Sequence, residues 1–149
     1  MSTATPSVNG QIVGLAHYAS RAVLERRVLA GLKVTFQQSV ALNAVDQSGG
    51  DTERAAIVDR MTSTLKIDDS DALASIDGLI AAGLLEVLPG EEPRVGLTEA
   101  GKSVNGQIRA AVPQISAQLY AGFSAEELAV AGRVLTTVTA RANAELDKL

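Results

Sequence analysis

The chain of 149 residues contains no cysteine and no tryptophan, and its only histidine is His17. The absence of cysteine excludes disulfide bonds, thiolate zinc sites and thiol-based redox sensing. One histidine and no thiol leave few groups for acid–base or nucleophilic catalysis. The sequence also lacks a phosphate-binding loop and the motifs of metalloproteases. We therefore expect neither an enzyme nor a protein that needs a metal or a cofactor.

Long hydrophobic segments are missing as well. No apolar run approaches the ~20 residues that a membrane-spanning helix needs, and residues 1–10 lack the charged and apolar regions of a secretion signal. We expect a cytoplasmic protein with no membrane partner and a disordered lead-in over residues 1–10. Aromatic residues make up only 3% of a composition that is 46% hydrophobic. Such a composition favours a core of Leu, Val, Ile and Ala between closely packed helices.

The most informative segment runs from Leu84 to Lys102, with the sequence LLEVLPGEEPRVGLTEAGK. Two short apolar runs flank the turn signal Pro89-Gly90, which predicts a β-hairpin. The hairpin is preceded by a helical pattern that begins at residue 69 and ends at Gly83. Another short helix, which begins at residue 51 or 52, is predicted before that one. Two short helices followed by a hairpin form a helix-turn-helix with a wing.

Helical periodicity also marks the two ends of the chain. Residues 11–31 and 99–122 predict long helices, and Ser124–Glu127 is a capping box that begins a last helix with a nearly heptad apolar pattern. Thr35–Gln38 predicts a second capping box, at the start of a helix that ends near residue 45. Few partners remain within the chain for the terminal apolar stripes. We therefore expect a two-fold dimer with intertwined terminal helices.

This order of elements resembles the MarR family of winged-helix regulators over residues 11–149. Three motifs carry the resemblance: Gly83-Leu84-Leu85-Glu86, Leu97-Thr98-Glu99-Ala100-Gly101 and Phe123-Ser124-Ala125-Glu126-Glu127-Leu128. The resemblance implies a mostly α fold with a small β-hairpin wing. It assigns residues 35–98 to a winged helix-turn-helix DNA-binding lobe, and residues 11–34 with 99–149 to a helical dimerisation region.

The resemblance also implies the function. A cytoplasmic homodimer would bind a near-palindromic operator on double-stranded DNA as a sequence-specific transcriptional regulator, most simply a ligand-responsive repressor. By position, the residues at the DNA would be Lys66, Ser70, Asp71, Leu73, Ala74, Ser75 and Arg94. Residues 70–75 would form the outward-facing first turns of the recognition helix, while Lys66 would meet a phosphate and Arg94 would be the wing contact.

Two features of this predicted surface leave alternatives open. No Arg or Lys lies on the recognition helix, and Ala74 stands where family members often have an arginine, although Arg and Lys are the main readers of guanine. The alternative for Arg94 is a solvated charge on the hairpin. Arg26, Arg27 and Arg54 would add phosphate contacts or would be ordinary surface charges.

Many members of the family release DNA when a small aromatic or phenolic acid binds between the lobes. His17 and Arg21 share a helix face at i, i+4 spacing beside Tyr18, and this cationic and aromatic cluster would suit an aromatic carboxylate. The alternative is that His17 and Tyr18 pack at the dimer interface. The run Asp68-Asp69-Ser70-Asp71 lacks the glycine and the distal glutamate of a calcium loop, so helix capping explains it better.

The distribution of charge opposes DNA binding at first sight. The chain carries a formal net charge of −4, and residues 51–101 alone contain four basic and eleven acidic side chains, a net charge of −7. DNA-binding lobes normally carry the opposite bias. A second interpretation is therefore a MarR-like dimer with weak or lost DNA binding that serves as a small-molecule or protein-interaction module.

Overall fold

The computed structural model describes residues 5–90 and 92–149. In chain order the elements are α1 (Gly10–Leu24), a π-helical turn (Glu25–Leu29), α2 (Ala30–Leu32), α3 (Phe36–Gln47), β1 (Asp51–Glu53), α4 (Arg54–Leu65), α5 (Asp69–Ala81), β2 (Leu85–Leu88), β3 (Arg94–Leu97), α6 (Glu99–Leu119) and α7 (Ala125–Leu146). The predicted mostly α fold with a small hairpin is confirmed. Residues 1–4 of the expected lead-in lie outside the described residues, and the cap of α1 is Asn9.

Both predicted capping boxes are confirmed. At the start of α3, the Thr35 hydroxyl accepts the Gln38 N–H, and Gln38 Oε1 accepts the Thr35 N–H, each at 3.0 Å. Ser124 and Glu127 make the same reciprocal pair before α7. The expected end at Gly31 is wrong, because the helix continues to Leu32 and stops where Lys33 adopts the left-handed conformation, with φ of 59°.

The sheet contains a strand that the sequence did not indicate. Residues 51–53 form β1, so the prediction that a helix begins at 51 or 52 is wrong. The strand order is β1-β3-β2 and both pairs are antiparallel, with Thr52 opposite Val95 and Val87 opposite Val95 on the other side. A strand of three polar residues shows no alternation of apolar and polar residues in the sequence. It forms because it pairs with the free edge of β3.

The hydrophobic core lies where α3, α4 and α5 pack against one another and against β2 and β3. Leu29 anchors the end of the first helical segment in it. The large side chains that are almost fully buried are Leu29, Leu42, Val45, Ile57, Met61, Ile76, Leu79, Leu85 and Val95. The core is aliphatic, as the composition predicts.

The motif Leu97-Thr98-Glu99-Ala100-Gly101 joins the hairpin to α6. The Thr98 hydroxyl donates to the Gly83 carbonyl at 2.6 Å and accepts the Gly101 N–H at 3.0 Å. A Cβ on Gly101 would lie only 2.0 Å from the Leu84 carbonyl oxygen. Because no side chain fits between these two backbones, glycine is the residue that lets α6 begin directly against β2.

The chain divides into two compact units, one that ends at Ile115 and one that comprises Ser116–Leu149. In the second unit, the side chains along α7 are almost all exposed, including those of Leu128, Val130, Leu135 and Val138. Among the described residues, no helix combines the length and the hydrophobicity that crossing a membrane requires.

Candidate nucleic-acid interface

Helix α5 begins at Asp69 because Asp68 caps it. Asp68 Oδ1 accepts the Asp71 N–H at 2.9 Å and the Ser70 hydroxyl at 2.8 Å. These hydrogen bonds, the Asp71 amide first, lower the pKa of Asp68 below its ordinary value. The capping explanation of this acidic run therefore agrees with the geometry.

The first turns of α5 present most, but not all, of the predicted contact residues to solvent. Ser70, Asp71, Leu73 and Ala74 are exposed. The prediction that Ser75 faces outward is wrong, because its side chain is 8% exposed and its hydroxyl donates to Gln37 Oε1 at 3.3 Å.

The burial of Ser75 follows from the phase of the helix. Residues 72, 75, 76 and 79 recur at spacings of three and four, and all four are buried against the core. The opposite face carries Ser70, Leu73, Ala74 and Asp77, all exposed. We call these four residues the reading face.

Lys66 lies in the turn that leads into α5. It is the C-cap of α4, it is exposed, and its φ is 58°, a left-handed conformation that glycine or asparagine adopts more easily. Its ammonium group is thus available one turn ahead of the reading face.

Arg94 lies at the loop end of the hairpin, as the first residue of β3 and opposite Leu88. Its guanidinium forms an ion pair with the Asp51 carboxylate on β1, and this hydrogen bond is the main cause that raises the pKa of Arg94. Sequence reasoning did not foresee this partner, because it treated Asp51 as the start of a helix.

Arg54 reaches the reading face from a neighbouring helix. It is the first residue of α4, and its guanidinium Nη2 forms an ion pair with Asp77 Oδ1. Its backbone N–H donates to the Pro93 carbonyl of the wing at 3.1 Å. The two ion-paired residues are 23 positions apart in the chain. No local pattern could have joined them.

The three predicted effector residues all lie on α1. The rings of His17 and Tyr18 are 5.5 Å apart between centroids, and Tyr18 is 69% exposed. Arg21 turns toward the core instead: its guanidinium lies 4.4 Å from the centroid of the Phe36 ring and 3.3 Å from the Glu25 carboxylate.

A cleft of about 460 Å³ opens on the side of α3, α4 and α6. The residues that line it are Leu24, Ser39, Val40, Asn43, Gln47, Arg60, Thr64, Asn105, Ile108, Arg109, Val112 and Pro113. Arg60 donates to Gln47 Oε1 at 2.5 Å, and Arg109 pairs with Asp46 at 2.7 Å. Asn105 is 3% exposed, and its Oδ1 has no hydrogen-bond partner within the described residues. Sequence reasoning missed this cleft because its walls come from four helices, α1, α3, α4 and α6, that are far apart in the chain.

Together, the helix-turn-helix formed by α4 and α5, the exposed reading face and the adjoining hairpin define a winged helix-turn-helix protein. Comparison with solved structures identifies the variant: the chain has the winged-helix fold of the MarR regulators. A mutant MarR from E. coli complexed with operator DNA superposes with a TM-score of 0.71 at 21% sequence identity, covering 87% of this chain and 91% of that one.

Two further structures with the same fold belong to regulators that bind or respond to small molecules. Bordetella bronchiseptica BpsR, whose DNA binding is regulated by 6-hydroxynicotinic acid, gives a TM-score of 0.71 at 21% identity over 87% of this chain and 97% of BpsR. The organohalide-sensing regulator RdhR, bound to 2,4-dichlorophenol, gives 0.74 at 13% identity over 95% and 89%. No family model and no curated protein sequence matches the chain. The structural likenesses therefore establish the fold.

Proposed function

We propose that this chain is a homodimeric, sequence-specific DNA-binding transcriptional regulator of the MarR type, which acts in the cytoplasm as a ligand-responsive repressor. The observation that carries the proposal is the exposed reading face of α5, which adjoins the wing in a fold shared with a MarR–operator complex. In helix-turn-helix proteins this second helix enters the major groove. An enzymatic role has no support, since the structures that resemble the chain are transcription regulators.

The proposed contacts follow from what each side chain offers. Lys66 would bind a phosphate, and the Ser70 hydroxyl, which already donates to Asp68, would accept a hydrogen bond. Leu73 and Ala74 would pack against thymine methyl groups, and Asp71 would accept from cytosine. Arg94 would contact the backbone beside the minor groove. Ser75, which is buried, is no longer among the contacts.

The proposed dimer would use the terminal helices. On α1, Leu15 is 63% exposed, and Tyr18 and Val13 are exposed beside it. On α7, apolar side chains are exposed along the whole helix. A monomer rarely leaves so much apolar surface in water, and a two-fold interface would bury it. It would also set two α5 helices about 34 Å apart, which is one turn of DNA.

We assign the effector to the cleft lined by Arg60, Arg109 and Asn105. Its volume falls in the range of small-molecule sites, two guanidinium groups suit an acid, and rotation of the Asn105 amide would offer its unpartnered Oδ1 to a donor such as a hydroxyl. A small hydroxylated aromatic acid combines these features. The pair His17–Tyr18 with Arg21 remains a second location, to which a partner subunit would contribute further contacts.

The effector assignment is tested with benzoate and its hydroxylated derivatives as probes. In wild type, one hydroxybenzoate should bind more tightly than benzoate and should release DNA at lower concentration. Asn105→Leu should remove that preference while benzoate still binds. Equal binding of all probes to both proteins would contradict the role of Asn105.

A different function is favoured by the acidic lobe. Both Arg54 and Arg94 are engaged in ion pairs, and residues 51–101 carry a net charge of −7. A protein that has lost tight DNA binding and acts as a small-molecule or protein-interaction module would show this pattern.

Selection of bound genomic fragments by the purified protein, followed by affinity measurements against salt, separates the two functions. A regulator should enrich a near-palindromic sequence, and the logarithm of its affinity should fall steeply with the logarithm of salt concentration. No enriched sequence, or a flat salt response, would favour the interaction module.

A further inference from the structure

The reading face has an unusual charge for a surface that must recognise DNA. Helix α5 contains no Arg or Lys, and its exposed side carries Asp69, Asp71 and Asp77. Recognition of guanine most often uses the paired donors of an arginine. If the helix reads DNA, its cationic donors have to come from another element.

Arg54 is in position to supply those donors. Asp77, its ion-pair partner, follows Leu73 and Ala74 at spacings of four and three on the reading face, so the Arg54 guanidinium lies beside that face. The Arg54 side chain is 27% exposed and the Asp77 side chain is 63% exposed. The pair is therefore reachable from solvent without any rearrangement of the core.

The base of the Arg54 side chain is fixed by the wing. Its N–H donates to the Pro93 carbonyl, and the preceding residue, Glu53, lies opposite Arg94 in the sheet. Arg54 is thus held at its backbone by the hairpin and at its head group by α5. Arg54 therefore lies between the hairpin and α5, the two elements proposed to face DNA.

On the basis of the function proposed above, we propose that Arg54 reads a guanine in each half-site and that Asp77 is its positioning residue. A guanidinium has five N–H donors. Asp77 contacts it through Nη2, so donors remain for the O6 and N7 atoms of guanine. An arginine already held in place loses less side-chain freedom on binding.

The competing explanation is that the pair only stabilises the lobe. Exposed ion pairs contribute little to stability, so Arg54→Ala and Asp77→Asn should fold and dimerise like wild type. Thermal unfolding and the oligomeric state of each variant check this directly. A base-reading role then has a signature that a stabilising role lacks, which is a change in sequence preference at one base pair.

The experiment measures the affinity of wild type for its selected site, for each single base-pair variant of that site, and for unrelated DNA, at one salt concentration. Arg54→Ala should lose about 5- to 150-fold for each half-site and should no longer distinguish the bases at one position. Arg54→Lys should retain binding to unrelated DNA and recover only part of that discrimination, since lysine also donates to guanine but lacks the paired donors of a guanidinium. Lys102→Ala, which removes an exposed cation paired with Glu99, is the matched control and should keep the wild-type preferences.

Asp77→Asn tests the positioning role. It should weaken discrimination at the same base pair while binding to unrelated DNA does not fall, since an acidic group is removed. Stronger discrimination in Asp77→Asn would show that Asp77 masks the arginine and would overturn its assigned role.

The outcomes for Arg54 are separable from those for the proposed function. If wild type selects a site and Arg54→Ala keeps every preference, the assignment of Arg54 is wrong and the regulator function stands. If wild type prefers no sequence, both are wrong.

Discussion

The close approach of Gly101 to the Leu84 carbonyl makes a strong prediction about stability. Gly101→Ala would place a methyl group 2.0 Å from the Leu84 oxygen and 3.0 Å from its carbonyl carbon. Since both atoms belong to the backbone, no side-chain rotation relieves the overlap. Helix α6 and the residues before β2 must move apart.

The expected cost can be assembled from the interactions that this movement disturbs. The Leu84 oxygen also accepts the Thr98 N–H at 3.2 Å, and losing that hydrogen bond costs about 1 kcal/mol. Overpacking typically costs about 1–3 kcal/mol more. Alanine regains about 1 kcal/mol over glycine in a helix interior. The net loss in the free energy of unfolding should be about 1–3 kcal/mol.

Gly106 provides the matched control on the same helix. It is exposed, and a Cβ built on it meets nothing within 4 Å. Gly106→Ala should therefore stabilise the protein by about 0.5–1 kcal/mol. Urea unfolding followed by circular dichroism, at one fixed protomer concentration, measures both changes.

The two substitutions should move the urea midpoint in opposite directions. A Gly101→Ala variant that unfolds at or above the wild-type midpoint would refute the argument, because it would mean that α6 and β2 separate without loss. A destabilised Gly106→Ala would instead indicate that this part of α6 is covered in the proposed dimer.

Three further outcomes follow from the interface. Asp68→Ala should unfold at lower urea than wild type near neutral pH. The pKa of Asp68 is lower in the folded state than its unfolded value of 3.8. Its contribution to the free energy of unfolding is therefore complete above pH 3.8 and is lost as the pH falls through the folded-state pKa. The urea midpoints of wild type and Asp68→Ala should converge in acid. Lys66→Ala should weaken binding to all DNA sequences alike and reduce the salt slope by about 1 for each phosphate that the protein no longer neutralises, as measured by fluorescence anisotropy. Ser75→Ala should leave DNA affinity unchanged, because the Ser75 hydroxyl is turned inward to Gln37; a clear drop in affinity would restore Ser75 to the DNA-facing set.

The elements with local signals could be predicted from the sequence. The boxes at Thr35–Gln38 and Ser124–Glu127 need only residues three apart, and the hairpin needs only two apolar runs around a turn. Gly83, with φ of 76°, ends the segment after α5 as expected. These features depend on neighbours along the chain.

The features that sequence reasoning missed depend on partners far along the chain. Strand β1 exists because residues 94–96 pair with it. The buried position of Ser75 follows from its spacing to Ala72 and Leu79, but its hydrogen-bond partner Gln37 lies 38 positions earlier. The Arg54–Asp77 pair and the walls of the cleft have the same non-local origin. A helical period gives the spacing of an apolar face, but packing decides where that face ends.

Helix α4 has a mechanical consequence. At its first residue it is bonded to the wing through Arg54 and Pro93, and farther along it contributes Arg60 and Thr64 to the cleft. A helix of 12 residues behaves as a stiff rod about 18 Å long. If a molecule bound against Arg60 tilts α4, the tilt also displaces the hairpin and the Arg54 guanidinium.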